Sequence, residues 1–302
     1  MKALVISGGG SKGAFAGGIA EYLINTCGYK YDLFVGCSTG SLLLPHLAIG
    51  KVEKIKEIYT SVTQKDIFSI NPFYIRSTGK GYTTSINHIN TLRTFLKGCP
   101  TFGETENLRS LIKRSITNED FETISRLNKK VIFTVSNLTE QTVEYIHSDK
   151  CNYDDFCDWA WASTNFVPFM SVYQKNGNQY ADGGFGSHIP VYCALENNAC
   201  EVDVIILENE HPVRKQALAT NAFSLLLKTF RFMATQISIK DLMIGKLMGM
   251  NRKTDIRIYY TPRELTDNSL IFDPIQMKQW WEDGYEYARN NEPICYCHQP
   301  TI

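Results

Sequence analysis

The sequence contains a serine between glycines, Gly36-Cys37-Ser38-Thr39-Gly40, a pattern suited to nucleophilic catalysis. The apolar run 33–35 before it predicts a buried strand, and the apolar stretch 41–49 after it predicts a helix. In a GxSxG elbow the serine lies on a strained strand-to-helix turn, and the glycines let strand and helix approach closely. The sequence therefore predicts Ser38 as a nucleophile, with Gly36 and Gly40 as the elbow glycines.

Cys37 is a rival nucleophile in the same motif. On an elbow its side chain is expected to point away from Ser38 and toward the sheet, which favours Ser38. A glycine-flanked tight turn without chemistry is the alternative interpretation of the whole motif.

The Ser38 hydroxyl needs a base to take its proton, because a neutral serine is a weak nucleophile. In a Ser–acid–His triad the histidine comes last along the chain, so the downstream histidines are candidates. Among His188, His211 and His298, His211 follows the predicted strand 202–207 and is the best placed for a triad.

Asp182 offers a second answer, since it is followed by Gly183 and Gly184. An aspartate beside glycines can approach a serine directly and act as the base itself. The interpretation without chemistry is a simple β-turn, because Asp-Gly is a common turn pair.

A glycine-rich loop, Gly8-Gly9-Gly10-Ser11-Lys12-Gly13, lies between a predicted strand at 3–7 and a predicted helix at 14–25. Backbone N–H groups at a helix start favour negative charge, so the loop can form an oxyanion hole. It also satisfies the GxGxxG pattern of dinucleotide-binding folds, with Asp32 about 20 residues further on. That alternative is disfavoured because Asp32 precedes the second strand instead of ending it. The spacing of a Walker A loop is absent.

The alternation of strands, glycine turns and helices predicts an α/β fold with a mainly parallel central sheet. Residues 71–103 contain two prolines and several glycines, and we interpret them as an insertion near the active-site end of the sheet. Residues 222–250 combine large apolar side chains with scattered basic ones, which predicts either a helical lid that contacts lipid or ordinary core helices. No repeat or linker is evident, so residues 1–302 are expected to form one domain.

The balanced composition disfavours several classes of protein. The 302 residues carry 31 basic and 31 acidic side chains, whereas a nucleic-acid binder usually shows a basic excess. The nine cysteines lack paired zinc-ligand spacing and are expected to be free thiols in a reducing compartment. No signal peptide or membrane span is expected, which predicts a cytoplasmic protein or one that is peripheral at membranes.

Three motifs in this order, the loop 8–13, the elbow around Ser38 and Asp182-Gly183-Gly184, resemble those of the patatin-like phospholipase family. The resemblance covers roughly residues 1–210 and includes three further segments, at 133–146, 162–168 and 189–191. It implies a patatin-like three-layer α/β/α fold with a nucleophile elbow.

The resemblance also implies a Ser–Asp dyad without a catalytic histidine, in which Ser38 is the nucleophile and Asp182 is the general base. It places the oxyanion hole at the N–H groups of Gly9, Gly10 and Ser11. Lys12 would occupy the usual basic position of the family and attract a lipid phosphate. Its alternative interpretation is a solvated loop lysine.

His188 is a departure from the family pattern, which often has asparagine before the proline that follows the DGG motif. One interpretation is a polar residue that supports the loop. The sharper hypothesis is that His188 assists Asp182 or orients the substrate.

The implied activity is hydrolysis of phospholipid or lysophospholipid esters through an acyl-Ser38 intermediate, with no cofactor and no metal. A triacylglycerol lipase, a thioesterase or an acyltransferase would use the same dyad. A dinucleotide-binding oxidoreductase and an inactive lipid-binding module are more distant alternatives. The expected partners are the acyl-lipid substrate and a membrane surface, and the sequence identifies no activating protein.

Overall fold

The chain is described by a computed structural model at residues 1–78, 81–210, 218–219 and 221–296. The strands are β1 Lys2–Ile6, β2 Leu33–Cys37, β3 Phe73–Thr78, β4 Gly81–Ile86, β5 Lys130–Asn137, β6 Thr142–His147, β7 Tyr173–Lys175, β8 Asn178–Asp182, β9 Glu201–Asn209, β10 Asp255–Thr261 and β11 Ile294–Tyr296. The helices are α1 Gly13–Glu21, α2 Thr39–Ala48, α3 Val52–Ser61, α4 Gln64–Ile67, α5 His88–Leu96, α6 Glu106–Ser115, α7 Asn118–Arg126, α8 Tyr153–Ala162, α9 Val191–Glu196, α10 Ala222–Arg252 and α11 Pro274–Asn290.

Nine of these strands form one mixed sheet in the order β11-β10-β9-β1-β2-β5-β8-β7, with β6 also paired to β5. The central run β10-β9-β1-β2-β5 is parallel. The outer pairings are antiparallel. The glycine loop and the elbow follow neighbouring parallel strands, β1 and β2, so both lie at the same edge of the sheet. This edge carries the candidate site.

Helices cover both faces of the sheet. The side chains of Leu4, Ile6 and Phe133 pack on one face with helices α1, α2, α3, α6, α7, α8 and α11. On the other face, Val5 and Val35 pack with α9 and with the half-buried side of α10. The alternation of successive β1 residues between the two cores is the two-residue period of a strand buried on both sides. The predicted three-layer α/β/α architecture is therefore confirmed.

The segment 71–103 is more regular than its prolines and glycines indicate. It contains the β3–β4 hairpin and helix α5, and Asn87 caps α5 by accepting the N–H of Asn90. A two-stranded hairpin outside the main sheet is hard to recognise from sequence, because polar residues interrupt the alternation of apolar and polar side chains. Residues 222–250, whose nature the sequence left open, lie in one continuous helix, α10.

Within the described residues, no helix combines the length and apolarity that crossing a membrane requires. The same part of the chain contains no disulfide.

Helices α1 and α11 are in close backbone contact, because glycines line the surface between them. A Cβ at Gly18 would lie 2.0 Å from the Trp281 carbonyl oxygen, and one at Gly284 would lie 2.1 Å from the Phe15 carbonyl oxygen. The indole N–H of Trp281 donates to the Glu21 carboxylate at 2.5 Å across this contact. Since α1 follows the glycine loop directly, α11 supports the base of the candidate site.

We expect Gly284→Ala to lower the free energy of unfolding by about 1–3 kcal/mol, because the added methyl group forces the two helices apart. Urea denaturation monitored by circular dichroism measures this change. Lys278→Ala, on the exposed side of the same helix, is the control and should stay within about 0.5 kcal/mol of the wild type. An equal effect of the two substitutions would contradict the proposed contact.

Candidate active site

Ser38 lies on a strained turn between β2 and α2. Its backbone angles are φ 51° and ψ −121°, in a region that non-glycine residues rarely adopt. Such a conformation costs on the order of 1–3 kcal/mol and persists only where surrounding contacts hold it. A Cβ at Gly40 would lie 2.4 Å from the Ile6 carbonyl oxygen, and one at Gly36 would lie 2.8 Å from the Gly40 carbonyl carbon. Both elbow positions therefore require glycine.

The hydroxyl of Ser163 holds this turn from the side of β5. It accepts the backbone N–H of Ser38 at 3.1 Å and donates its own proton to the Thr134 carbonyl at 2.7 Å. Because a hydroxyl has one proton, Ser41 must be the donor in its 2.8 Å contact with Ser163. The Ser163 side chain thus joins β5 to the first turn of α2.

Asp182 reaches Ser38 across the end of β5. Cys37 on β2 pairs with Thr134, and Val135 on the same β5 strand pairs with Asp182. The chain then crosses the β5 edge at Gly183, where a Cβ would lie 2.3 Å from the Thr134 carbonyl oxygen. The approach of a serine and an aspartate from strands on either side of β5 therefore depends on glycine at this turn.

The Asp182 carboxyl is buried, and its burial raises its pKa to about 6. Interactions of the carboxylate with the Ser38 side chain, the Gly184 N–H and the Cys37 thiol oppose this rise. The Gly184 N–H lies 2.8 Å from Oδ1. Burial outweighs these interactions, so the carboxyl ionises near neutral pH while it contacts the nucleophile.

The Cys37 thiol is buried and lies 3.8 Å from Asp182 Oδ1. Burial, and then the neighbouring Asp182 carboxylate, raise the pKa of the thiol. Since the thiolate is the reactive form, Cys37 remains a weak rival to Ser38.

The glycine loop presents backbone N–H groups beside the elbow, but not all three of those expected. The Ser11 N–H donates to the Ser269 carbonyl at 2.9 Å, which corrects the assignment of Ser11 to the oxyanion hole. Among the described residues, no backbone carbonyl accepts a hydrogen bond from the N–H group of Gly9 or Gly10. These two groups are therefore the available donors.

Lys12 points inward from the loop. Its ammonium donates to the Leu207 carbonyl at 2.5 Å, and burial lowers its pKa while Glu208 opposes that effect. The interpretation as a solvated loop lysine is therefore wrong. The ammonium thus joins the loop to the end of β9.

Tyr59 links the glycine loop to the elbow. Its hydroxyl donates to the Gly10 carbonyl at 2.6 Å, and it is also hydrogen-bonded to the Thr39 hydroxyl. Because the tyrosine proton goes to Gly10, Thr39 is the donor in the second bond. Burial raises the pKa of Tyr59, so it stays protonated and the two loops are held together.

His188 packs against both glycine motifs. A Cβ at Gly8 would lie 2.7 Å from His188 Nε2 and 3.3 Å from Ser38 Cβ, and one at Gly184 would lie 3.0 Å from His188 Cδ2. Nδ1 lies 2.9 Å from the Ser238 hydroxyl, whose own proton goes to the Ala234 carbonyl. The network therefore assigns the proton to Nδ1 and leaves the Nε2 lone pair beside Gly8.

The charge state of His188 follows from its surroundings. Burial lowers its pKa. Among its charged neighbours, Glu208 raises this pKa and Lys12 lowers it. The imidazole is thus neutral at physiological pH. His211 and His298, the other histidine candidates, lie outside the described residues.

Asp32 does not have the position that a dinucleotide site requires. It lies before β2, at the sheet edge opposite the glycine loop, where its carboxylate accepts the Lys2 N–H at 3.0 Å. In the described part of the chain, no group of three His, Cys, Asp or Glu side chains could hold a metal ion.

Three supporting residues were missed by sequence reasoning: Ser163, Tyr59 and Ser269. Ser163 falls within a segment that resembles the family, which was the available signal for it. Tyr59 and Ser269 act through hydrogen bonds to residues far away in the chain, and no local pattern marks such pairs.

Comparisons with known proteins agree with this geometry at the level of the fold. No curated protein sequence matches the chain significantly. The crystal structure of VipD from Legionella pneumophila is similar at a TM-score of 0.53 and 14% sequence identity, and the match covers 98% of this chain and 68% of VipD. At this identity the similarity shows a shared fold.

The profile of the family described as patatin-like phospholipase matches residues 4–195, which include the glycine loop, the elbow and the Asp182 turn. Because this match spans more than half of the sequence, the chain belongs to the patatin-like phospholipase family.

Proposed function

We propose that the protein hydrolyses carboxylic ester bonds of phospholipids or lysophospholipids through a Ser38–Asp182 dyad. The observation that carries the proposal is the contact between a serine on a strained elbow and a buried carboxyl whose pKa is raised to about 6. A base that ionises near neutral pH can take the serine proton and return it during the same reaction cycle.

The proposed reaction begins when Ser38 Oγ attacks the ester carbonyl carbon and its proton passes to the Asp182 carboxylate. The carbonyl oxygen becomes an oxyanion, which accepts hydrogen bonds from the N–H groups of Gly9 and Gly10. When the intermediate collapses, Asp182 protonates the departing alcohol and an acyl-Ser38 ester remains. Water, deprotonated by Asp182, then attacks this ester. As the fatty acid leaves, Asp182 returns the proton to Ser38 Oγ.

Fluorophosphonate labelling tests the nucleophile. We expect the wild type and Cys37→Ala to be labelled, Ser38→Ala to be unlabelled, and Asp182→Asn to be labelled at least about 100-fold more slowly because its base is lost. Mass spectrometry of the labelled peptide identifies the modified residue. Labelling that persists in Ser38→Ala would overturn the assignment.

An assay with matched phospholipid, lysophospholipid, triacylglycerol and thioester substrates tests the substrate class. We expect release of fatty acid from the first two, and we expect Ser38→Ala to abolish it. Transfer of the acyl group to an added alcohol in preference to water would instead identify an acyltransferase that uses the same dyad.

The raised pKa of Asp182 predicts how activity depends on pH. Since the carboxylate form is the base, kcat/KM for a soluble short-chain ester should fall as pH decreases through about 6. Asp241 is a matched control. Burial also raises its pKa to about 6, but its carboxylate accepts a different group, the Ile189 N–H, at 2.8 Å. Asp241→Asn should retain the inflection. Activity that stays constant well below that pH would contradict the role of Asp182.

The same pKa predicts a cost in stability. A carboxyl whose folded-state pKa is raised destabilises the fold at pH values where it is ionised, here above about 6. We expect Asp182→Asn to be more stable than the wild type at pH 8, by up to about 3 kcal/mol. The difference should shrink as pH falls through 6 and vanish near pH 4, as measured by urea denaturation. A variant less stable than the wild type at pH 8 would contradict the proposed burial cost.

We assign His188 a positioning role, since its neutral ring packs between Gly8 and Gly184. His188→Asn should lower kcat about ten-fold to 100-fold by misplacing these glycines, with a small change in KM. The inflection near pH 6 and the fluorophosphonate labelling should both remain. Loss of the inflection in this variant would show that His188, with its free Nε2, is the base.

A further inference from the structure

The outward side of α10 carries large apolar side chains at intervals along its length, with the exposed polar residues Thr229 and Gln236 between them. Six of the apolar side chains recur every three to seven residues, and each is between 48% and 70% exposed: Leu225, Phe232, Ile239, Met243, Leu247 and Met250. We call these six residues the α10 stripe. An ordinary surface helix directs its large apolar side chains toward the core, so an exposed stripe of this length is unusual.

The inward side of α10 combines small, polar and apolar residues. Its most buried residues are Ser238, Gly245 and Gly249, and a Cβ at Gly245 would lie 2.9 Å from a Val191 side-chain carbon, so the helix lies close against α9. Asp241, also on this side, accepts the Ile189 N–H at 2.8 Å. Half-buried apolar side chains of the helix also pack against the two cores: Phe223, Leu226, Leu227, Phe230, Leu242 and Met248. The α10 stripe is therefore additional to the apolar side that docks the helix on the fold.

The charges of α10 also point to a particular partner. The helix has one acidic residue, Asp241, which is turned inward. Its five basic residues are Lys228, Arg231, Lys240, Lys246 and Arg252. Arg231 and Arg252 form ion pairs with Glu264 and Glu196 at the surface. An apolar stripe beside basic side chains matches a bilayer surface with anionic headgroups.

Aromatic side chains connect the core-facing side of α10 with the candidate active site. Phe230, on α10, lies 5.2 Å from Phe166 and 5.9 Å from Phe185, measured between ring centroids. Phe185 follows the Asp182 turn directly, and its ring stacks on that of Phe166 at 5.1 Å. Packed aromatic rings therefore couple the position of α10 to the segment that follows Asp182.

We propose that α10 lies on the surface of an anionic phospholipid bilayer through the α10 stripe. The helix has 31 residues and a length of about 46 Å, but it lacks the apolarity needed to cross the bilayer. It therefore lies along the surface, with the exposed Lys240, next to Ile239 of the stripe, at the headgroups. The inference rests on the proposed function, because a bilayer is the source of the substrate that a phospholipid hydrolase needs.

Vesicle flotation of the full chain tests this proposal. The Ser38→Ala variant serves as the parent protein, so that binding is measured without hydrolysis of the vesicles. We expect it to bind vesicles of equimolar phosphatidylcholine and phosphatidylglycerol, and to bind pure phosphatidylcholine vesicles more weakly. Adding Phe232→Glu and Leu247→Glu should weaken binding more than about ten-fold, because both side chains lose their burial in lipid.

The matched control adds Leu127→Glu and Leu138→Glu, which are also exposed leucines but lie outside α10. It should bind like the parent protein, and circular dichroism should show that both double variants are folded. Equal binding by the two double variants would overturn the proposal. A second outcome would also overturn it. The parent protein would not bind vesicles but would form a dimer, and Phe232→Glu with Leu247→Glu would dissociate that dimer, which would show that the stripe contacts a second copy of the chain.

Failure of this proposal and failure of the proposed function are distinguishable. The first shows in vesicle binding by an inactive variant, whereas the second shows in fluorophosphonate labelling of the wild type without vesicles.

Discussion

The candidate site depends on the contact between the start of α2 and the ends of β1 and β2. Ser38 holds a positive φ, which is unfavourable for any residue with a side chain, and the surrounding structure must compensate for it. Gly36 and Gly40 let the backbones meet, and Ser163 accepts the N–H of the strained residue. Parallel pairing of β1 with β2 then brings the glycine loop beside the nucleophile. Each element of the site is placed relative to this one turn.

Asp182 illustrates a compromise between chemistry and folding. A buried carboxyl with few partners is costly when charged, and that cost raises its pKa to about 6. Additional hydrogen-bond donors would stabilise the carboxylate and lower its pKa, which would make it a weaker base in the proposed reaction. The polar groups present, among them the Gly184 N–H at 2.8 Å from Oδ1, leave the pKa of Asp182 raised to about 6.

Much of this site could be predicted from the sequence because its motifs are local. The elbow and the glycine loop are short patterns with a physical reason at each position, and the structure gives Ser38 the expected strain. Asp182 was not distinguishable from a turn residue by spacing alone, and the family resemblance was needed to select it. The commitment of the Ser11 N–H to Ser269 could not be predicted, because it depends on how a distant loop packs. The sequence likewise did not decide whether residues 222–250 form a lid or core helices, since their composition does not reveal which side chains face solvent.

The hydrogen bond from Ser11 to Ser269 has a consequence for how the catalytic unit is delimited. The family profile ends at residue 195, whereas Ser269 and the strand β9, which pairs with β1, lie beyond it. A fragment cut at the profile boundary would leave β1 as an unprotected edge strand and the loop without its anchor. The segment that matches the family and the smallest unit that keeps the candidate site intact therefore have different borders in this chain, and protein engineering should respect the larger one.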